Sequence, residues 1–394
     1  MKPTLAVSFI NENCQIRPPV ECLAWVCTSS IMKTLPFNFL AVLFCLINLT
    51  TGCAGTSAGR TDKTPVVVFA AGSLIIPFAD LEKAFESKYP NIDIQAQYHG
   101  SIQVIRHATE LHEPIDVVAT ADASLLPMLM YATKDPDTGL PYSDWYIRFA
   151  SNRLAIAYQA ESLYASEINA DNWHEILTRP EVKVGLADPR FDAVGYRALM
   201  AYALAGDYYH QPTLFTDMFK GQFNFPLGIF SGNNLTTITV PEILETKTNS
   251  HIILRGASIE LIALLESGDL DYAFEYESVI SQHALKIVEL PAAFNLGEEA
   301  NQQNYSTVRV DEAFQRFASV KPIFRGERIG YGITIPSSAP HPEEAAMFIA
   351  FLLSPEGREV MEKDSHPMFT TAIGDGYQNI PASLQEYCTP VESP

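Results

Sequence analysis

Two Gly-Ser corners in this sequence have the residue types of an anion cradle. In Val66-Val67-Val68-Phe69-Ala70-Ala71-Gly72-Ser73-Leu74-Ile75-Ile76-Pro77 the β-branched run reads as a strand. Gly72-Ser73 then reads as the turn leaving it and Pro77 as the first turn of a helix. Backbone N–H groups at the positive end of a helix, joined by a hydroxyl, receive an anion without a lysine. Tyr98-His99-Gly100-Ser101 repeats the arrangement after the strand-like Ile92-Asp93-Ile94-Gln95-Ala96. There Ser101 is placed as an N-cap and a second hydroxyl donor. Either turn alone reads equally well as a plain strand-to-helix corner; two of them make half of a binding site.

The elements that must hold these turns alternate between strand and helix along the whole chain, which indicates an α/β architecture. Phe78, Leu81 and Phe85, spaced among Asp80, Glu82, Lys83 and Lys88, predict an amphipathic helix stopped by Pro90. Residues 116–122 and 152–158 read as further strands, the second as the first crossover into another lobe. That lobe continues through a strand at 182–186, helices at 195–204 and 259–266, and a strand at 272–276, with a polar, hairpin-like insertion over 221–250. The chain returns near 331–336, and a helix over 342–353 closes the first lobe. The expected division is therefore 65–152 plus 331–394 for lobe 1 and 153–330 for lobe 2, a hinged pair with a cleft at the strand carboxyl ends.

Before residue 65 the chain reads as an export leader. Lys33 follows Met32, a candidate start, and Phe39-Leu40-Ala41-Val42-Leu43-Phe44-Cys45-Leu46-Ile47 is apolar but too short to span a bilayer. Thr50-Thr51-Gly52-Cys53 resembles a lipoprotein cleavage box, with a polar Thr50 as its departure. Residues 1–53 are then the leader ending at a lipidated Cys53, and 54–64 a tether; an ordinary signal peptide cut nearby is the plainer alternative. Beyond the leader only Cys53 and Cys388 remain, so no disulfide framework or CxxC metal site is expected. The formal net charge of −20 argues against nucleic acid and anionic lipid as partners.

Six stretches carry a family resemblance, in order from Val66 to Ser365. They are the Ala-Ala-Gly-Ser-Leu corner with Pro77-Phe78, the His99-Gly100-Ser101 turn, and Thr120 to Tyr131 (TADASLLPMLMY). The others are Ala187 to Met200 (ADPRFDAVGYRALM), Glu266 to Val279 (ESGDLDYAFEYESV), and Tyr331 to Pro336 with Glu343 to Gly357 (EEAAMFIAFLLSPEG). Together they resemble the tungstate/molybdate-binding lipoproteins of ABC importers, which belong to the two-lobed type II periplasmic solute-binding proteins. The resemblance implies an oxyanion held between the lobes by Gly72, Ser73 and Ser101 on one side and by Asp192, the Ala193-Val194 backbone and Tyr276 on the other. It implies that Asp192 bonds Mo(VI) or W(VI) of the anion, since a carboxylate facing a dianion is otherwise repulsive. In that family a second carboxylate completes a six-coordinate centre, and here Ser258 stands at its position. Glu260 lies about 200° further around the helix, and Glu275, next to Tyr276 on a strand, is expected to face away. The implied partners are an ABC permease and ATPase, reached from the periplasm or the outer face of the cell membrane by a lipid-anchored monomer without cofactor or enzymatic activity. Sulfate or phosphate on the same fold is the alternative cargo that Ser258 suggests. An enzyme using the cleft is the remote one, because no GxSxG elbow or base accompanies the serines.

Overall fold

Strands rich in Val, Ile and Ala, buried on both faces, alternate with helices and sort into separate sheets. The structure is a computed structural model that describes residues 63–313 and 322–391. The leader, Cys53 and all but the end of the tether lie outside the described residues.

The chain opens with three strands, β1 (Thr64–Ala71), β2 (Ile92–His99) and β3 (Val117–Thr120), with β1 in the middle and parallel to both neighbours. After β4 (Tyr146–Ser151) only Asn152 and Arg153 intervene before β5 (Leu154–Tyr158), which belongs to a different sheet. The chain then forms β6 (Val184–Ala187), a hairpin of β7 (Gly228–Gly232) and β8 (Leu235–Val240), then β9 (Ile252–Arg255), β10 (Tyr272–Tyr276) and β11 (Lys286–Glu289). β12 (Val308–Glu312) and β13 (Ile323–Arg325) follow, and β14 (Gly330–Thr334) brings the chain back beside β3 and β4. β15 (Met368–Asp375) and β16 (Cys388–Pro390) finish the sheet in which β1 lies.

The two main sheets repeat one plan. The first runs β16-β15-β4-β14-β3-β1-β2 and the second β11-β5-β10-β6-β9. In each, three parallel strands have the earliest in the centre, and an antiparallel strand, β14 or β5, pairs beside them. This is a two-lobed α/β architecture, and open sheets of this kind receive ligands at strand carboxyl ends. The polar insertion is no lone hairpin: β12 pairs with β8 on one side and β13 on the other, giving a third sheet ordered β13-β12-β8-β7.

Register explains why the two Gly-Ser corners belong together. Ala71 pairs with His99, so Gly72-Ser73 and Gly100-Ser101 leave neighbouring strands at the same level. In the second sheet Ala187 pairs with Arg255, which sets the loops leading to Asp192 and Ser258 side by side in the same way.

Candidate functional site

The first corner forms as a single turn, Gly72–Leu74, running into the helix Ile75–Lys88. Ser73 is buried, and its Oγ lies 2.9 Å from the Tyr331 hydroxyl on β14. At the second corner the cap falls one residue earlier than expected. Gly100, not Ser101, is the N-cap of the helix Ser101–Thr109, and Gln103 Oε1 accepts from its N–H at 3.2 Å. The reason is steric: a Cβ at Gly100 would stand 2.4 Å from the Phe191 carbonyl oxygen, so only glycine fits where the chain turns. Ser101 begins the helix instead, and its Oγ accepts from Ala121 N at 3.0 Å, leaving its own O–H to donate.

The Phe191 contact joins the sheets. Ile102 N donates to Phe191 O at 3.1 Å, and a Cβ on Gly72 would reach Ile259 at 3.0 Å. Both corners of the first sheet therefore close directly on the loops of the second.

Asp192 caps the helix Ala193–Tyr208. Its Oδ1 accepts from Val194 N at 2.7 Å and its Oδ2 from Ser258 N at 3.1 Å, the first residue of the helix Ser258–Ser267. Two helix N-termini thus converge on one buried carboxyl. The Val194 amide, expected as an anion donor, is already committed to Asp192, and Ala193 is buried beside it. Burial pushes the Asp192 carboxyl up to about 6, against the opposing pull of the Ser258 and Val194 amides.

The sequence reading passed over Arg197, one turn into that helix. Its guanidinium is buried and donates to the Tyr276 hydroxyl at 2.5 Å and the Ala121 carbonyl at 2.7 Å, while Nη2 lies 3.1 Å from Asp122 Oδ2. Burial works against its charge, but Tyr276 and Asp122 hold its pKa above the ordinary value. Tyr196 Oη donates to the same Asp122 oxygen at 2.5 Å. Arg197 thus ties the second sheet's Tyr276 to the loop after β3, two residues past Thr120. Its signal in the sequence was an arginine among Tyr196, Ala198 and Leu199 on a helix with no polar face.

Tyr331 and Asn152 were missed as well. Asn152 Nδ2 donates to Tyr331 Oη at 3.2 Å and to Ser278 Oγ at 2.7 Å, so a chain of side chains runs from Ser73 to the two-residue crossover. A cavity of about 590 Å³ opens at that crossover, lined by Asn152, Arg153, Glu277, Ser278, Arg328 and His366 among others. None of the expected anion-binding residues lines it.

Ser258 is buried, with its hydroxyl beside the carboxyl of Glu275. Glu275 does not face away as strand alternation suggested. It is 1% exposed, and β6 pairs with β10 only at Tyr272 and Ala273, so the last residues of β10 adjoin the loops that carry Asp192 and Ser258. Burial first, then the Asp192 charge, push the Glu275 carboxyl up to about 8.

The family model for the bacterial extracellular solute-binding proteins matches residues 66–364, and the chain belongs to that family. A solute-binding protein of Methanococcus aeolicus is 37% identical over 340 residues, covering 85% of this chain and 92% of that one. One from Petrotoga mobilis is 36% identical over 322 residues, covering 82% and 89%. Among solved structures, the periplasmic molybdate-binding protein of Azotobacter vinelandii is similar at 13% identity and a TM-score of 0.48, covering 76% of this chain and 98% of that one. The sulfate-binding protein SubI of Mycobacterium tuberculosis is similar at 14% identity and a TM-score of 0.46, covering 83% and 92%.

Proposed function

We propose that this chain captures tungstate or molybdate between its two sheets and delivers the anion to an ABC permease and ATPase. It acts outside the cytoplasm, as a binding protein and not an enzyme, on a lipid carried by Cys53. One observation carries the reading. Two Gly-Ser corners leave register-matched strand ends and close on a buried carboxyl held at two helix N-termini. Hydroxyls and amides supply charge-assisted hydrogen bonds to an oxyanion, each about 1.5–3 kcal/mol net. Asp192 gives the preference for a metal oxyanion: a hard Mo(VI) or W(VI) centre accepts a carboxylate oxygen, and the sulfur of sulfate does not.

The presence of Ser258 where the resemblance expects a glutamate supports a second reading, a receptor for sulfate or phosphate. Thermal unfolding of the purified protein with each of the four anions separates the two. A ligand that binds only the folded state at a hundred times its Kd adds about 2.7 kcal/mol. Stabilisation by micromolar tungstate or molybdate that survives a thousandfold excess of sulfate and phosphate is expected. Stabilisation by sulfate or phosphate alone replaces the cargo, and none by any of the four refutes the reading.

A further inference from the structure

A hydroxyl can face its neighbour as donor or as acceptor, and an anion gains only from the first. At Ser73 the choice is made outside the corner itself. Ser73 Oγ and Tyr331 Oη lie 2.9 Å apart, and either can hold the proton between them. Tyr331 Oη has one further partner, the side-chain amide of Asn152, 3.2 Å away. Asn152 presents its nitrogen there. Its Oδ1 accepts from Arg153 N at 3.0 Å, so Nδ2 faces the hydroxyls of Tyr331 and of Ser278, the latter at 2.7 Å.

An amide N–H donates and cannot accept. Tyr331 Oη therefore accepts from Asn152, and its own proton goes to Ser73 Oγ, its one other partner among the described residues. Ser73 Oγ, accepting from Tyr331, keeps its O–H to give away. Asn152, Tyr331 and Ser73 are all buried, so water has little access to reverse this order. Hydrogen bonds aligned head to tail also polarise one another, which makes the last hydroxyl of the chain a stronger donor.

Resting on the proposed anion capture, we infer that Asn152 and Tyr331 are positioning residues that fix the direction of the Ser73 hydroxyl, so that it meets the bound oxyanion as a donor. Asn152 acts through Tyr331, and Tyr331 through Ser73. Without them the Ser73 hydroxyl is free to turn a lone pair to the anion. Asn152 stands in the two-residue crossover between β4 and β5 and holds Ser278 of the helix Glu277–Gln282 with the same nitrogen. The orienting chain thus begins where the polypeptide passes from one sheet to the other.

The experiment is calorimetric titration of the full chain with tungstate, molybdate, sulfate and phosphate. For whichever anion binds, it is repeated with Asn152→Asp, Ser73→Ala, Tyr331→Phe and the two double variants that join Asn152→Asp to each of the others. The introduced carboxylate accepts where the amide donated. It draws the Tyr331 proton, Ser73 then donates to Tyr331, and the anion meets a lone pair. At pH 8 Asn152→Asp is expected to bind roughly ten- to hundredfold more weakly than the wild type. That gap is expected to close as the pH falls toward 5 and the carboxyl gains a proton to donate. On top of Ser73→Ala or Tyr331→Phe the same substitution is expected to cost less than about threefold, because the path to the anion is already cut. If Asn152→Asp does not fold by circular dichroism, Asn152→Ala takes its place in both cycles, with a smaller loss alone and again none on top of Ser73→Ala. Unchanged affinity, additive losses in either cycle, or a gap that does not close with pH overturns the role while anion capture stands. Sulfate or phosphate as the anion bound, with this variant pattern, replaces the cargo and leaves the role standing. A wild type that binds none of the four overturns both.

Discussion

Replacing Glu275 by glutamine should make the ligand-free protein more stable, and more so as pH rises. The folded carboxyl sits at about 8 against an ordinary value of 4.5, burial being the larger cause and Asp192 the smaller. Below the ordinary value both folded and unfolded chains hold the proton, and the contribution to stability is fully present. Between 4.5 and about 8 the unfolded chain has lost a proton that the folded one keeps, so stability is lost as pH rises through that window. Each pH unit inside it removes about 1.4 kcal/mol. For a chain of this size that is roughly 2 °C of Tm per pH unit. Glutamine fills the same space without titrating. Shifted groups with no charge interaction with Glu275, such as His366, which burial drops to about 3, titrate alike in both proteins and cancel in the comparison. The measurement is thermal unfolding of the anion-free wild type and variant at pH 5, 6, 7 and 8. The difference, variant minus wild type, should climb steadily across the series. A flat difference would mean that Glu275 is ionised in the folded protein, and would refute the raised carboxyl.

Gly100→Ala should hold the sheets apart, because its Cβ meets Phe191 O at 2.4 Å. Anion affinity should drop at least tenfold, and small-angle scattering should find no contraction on adding the anion that contracts the wild type. Arg197→Met leaves Asp122 buried without its cation, a loss of about 3–5 kcal/mol. Chemical denaturation should report it, with no rescue by Arg197→Lys, since one ammonium cannot reach Tyr276, Ala121 and Asp122 together. Ser73→Ala and Ser101→Ala should each weaken anion binding by roughly 1.5–3 kcal/mol in calorimetry and also lower Tm, since each removes a buried hydrogen-bond partner, of Tyr331 and of the Ala121 amide; unchanged affinity would remove these hydroxyls from the site. With a net charge of −20, the protein repels an approaching dianion. Raising the salt from about 10 to 150 mM should therefore speed association in stopped-flow measurements, opposite in sign to steered capture.

Those parts of the fold and site that depend on local pattern were legible in the sequence. β1 and its turn follow from Val66 to Ser73, and the stretch 152–158 announced a crossover that takes only Asn152 and Arg153. Asp192 was readable as both cap and acid, and it caps. What was not legible depends on pairing between distant segments. The cap at Gly100 is set by Phe191 in the loop after β6 of the other sheet, 91 positions along the chain, and no local propensity encodes that approach. Arg197 finds its partners at Ala121 and Asp122, and Tyr331 finds Ser73. Glu275 was misjudged for an instructive reason. Alternation assigns faces only while a strand has neighbours on both sides, and β10 loses β6 after Ala273. A lone acid in Tyr272-Ala273-Phe274-Glu275-Tyr276 was itself the available sign, since a fully buried strand has no other use for one.

The electrostatics of the site follow from the same arrangement. Arg197 is a fully buried cation at the closing surface, and Asp122 sits against it, so its charge is balanced before any anion arrives. Asp192 then leaves the neighbourhood negative, inside a protein already strongly acidic. Attraction between net charges therefore cannot be what holds an anion here. Oriented neutral donors can: the hydroxyls of Ser73 and Ser101 with the backbone amides of the corners. Such donors act at hydrogen-bond range and are lost when the sheets part. Binding then depends on closure more steeply than it would with a lysine in the cleft, whose charge reaches across an open gap. A receptor that must release its cargo on opening benefits from that steepness.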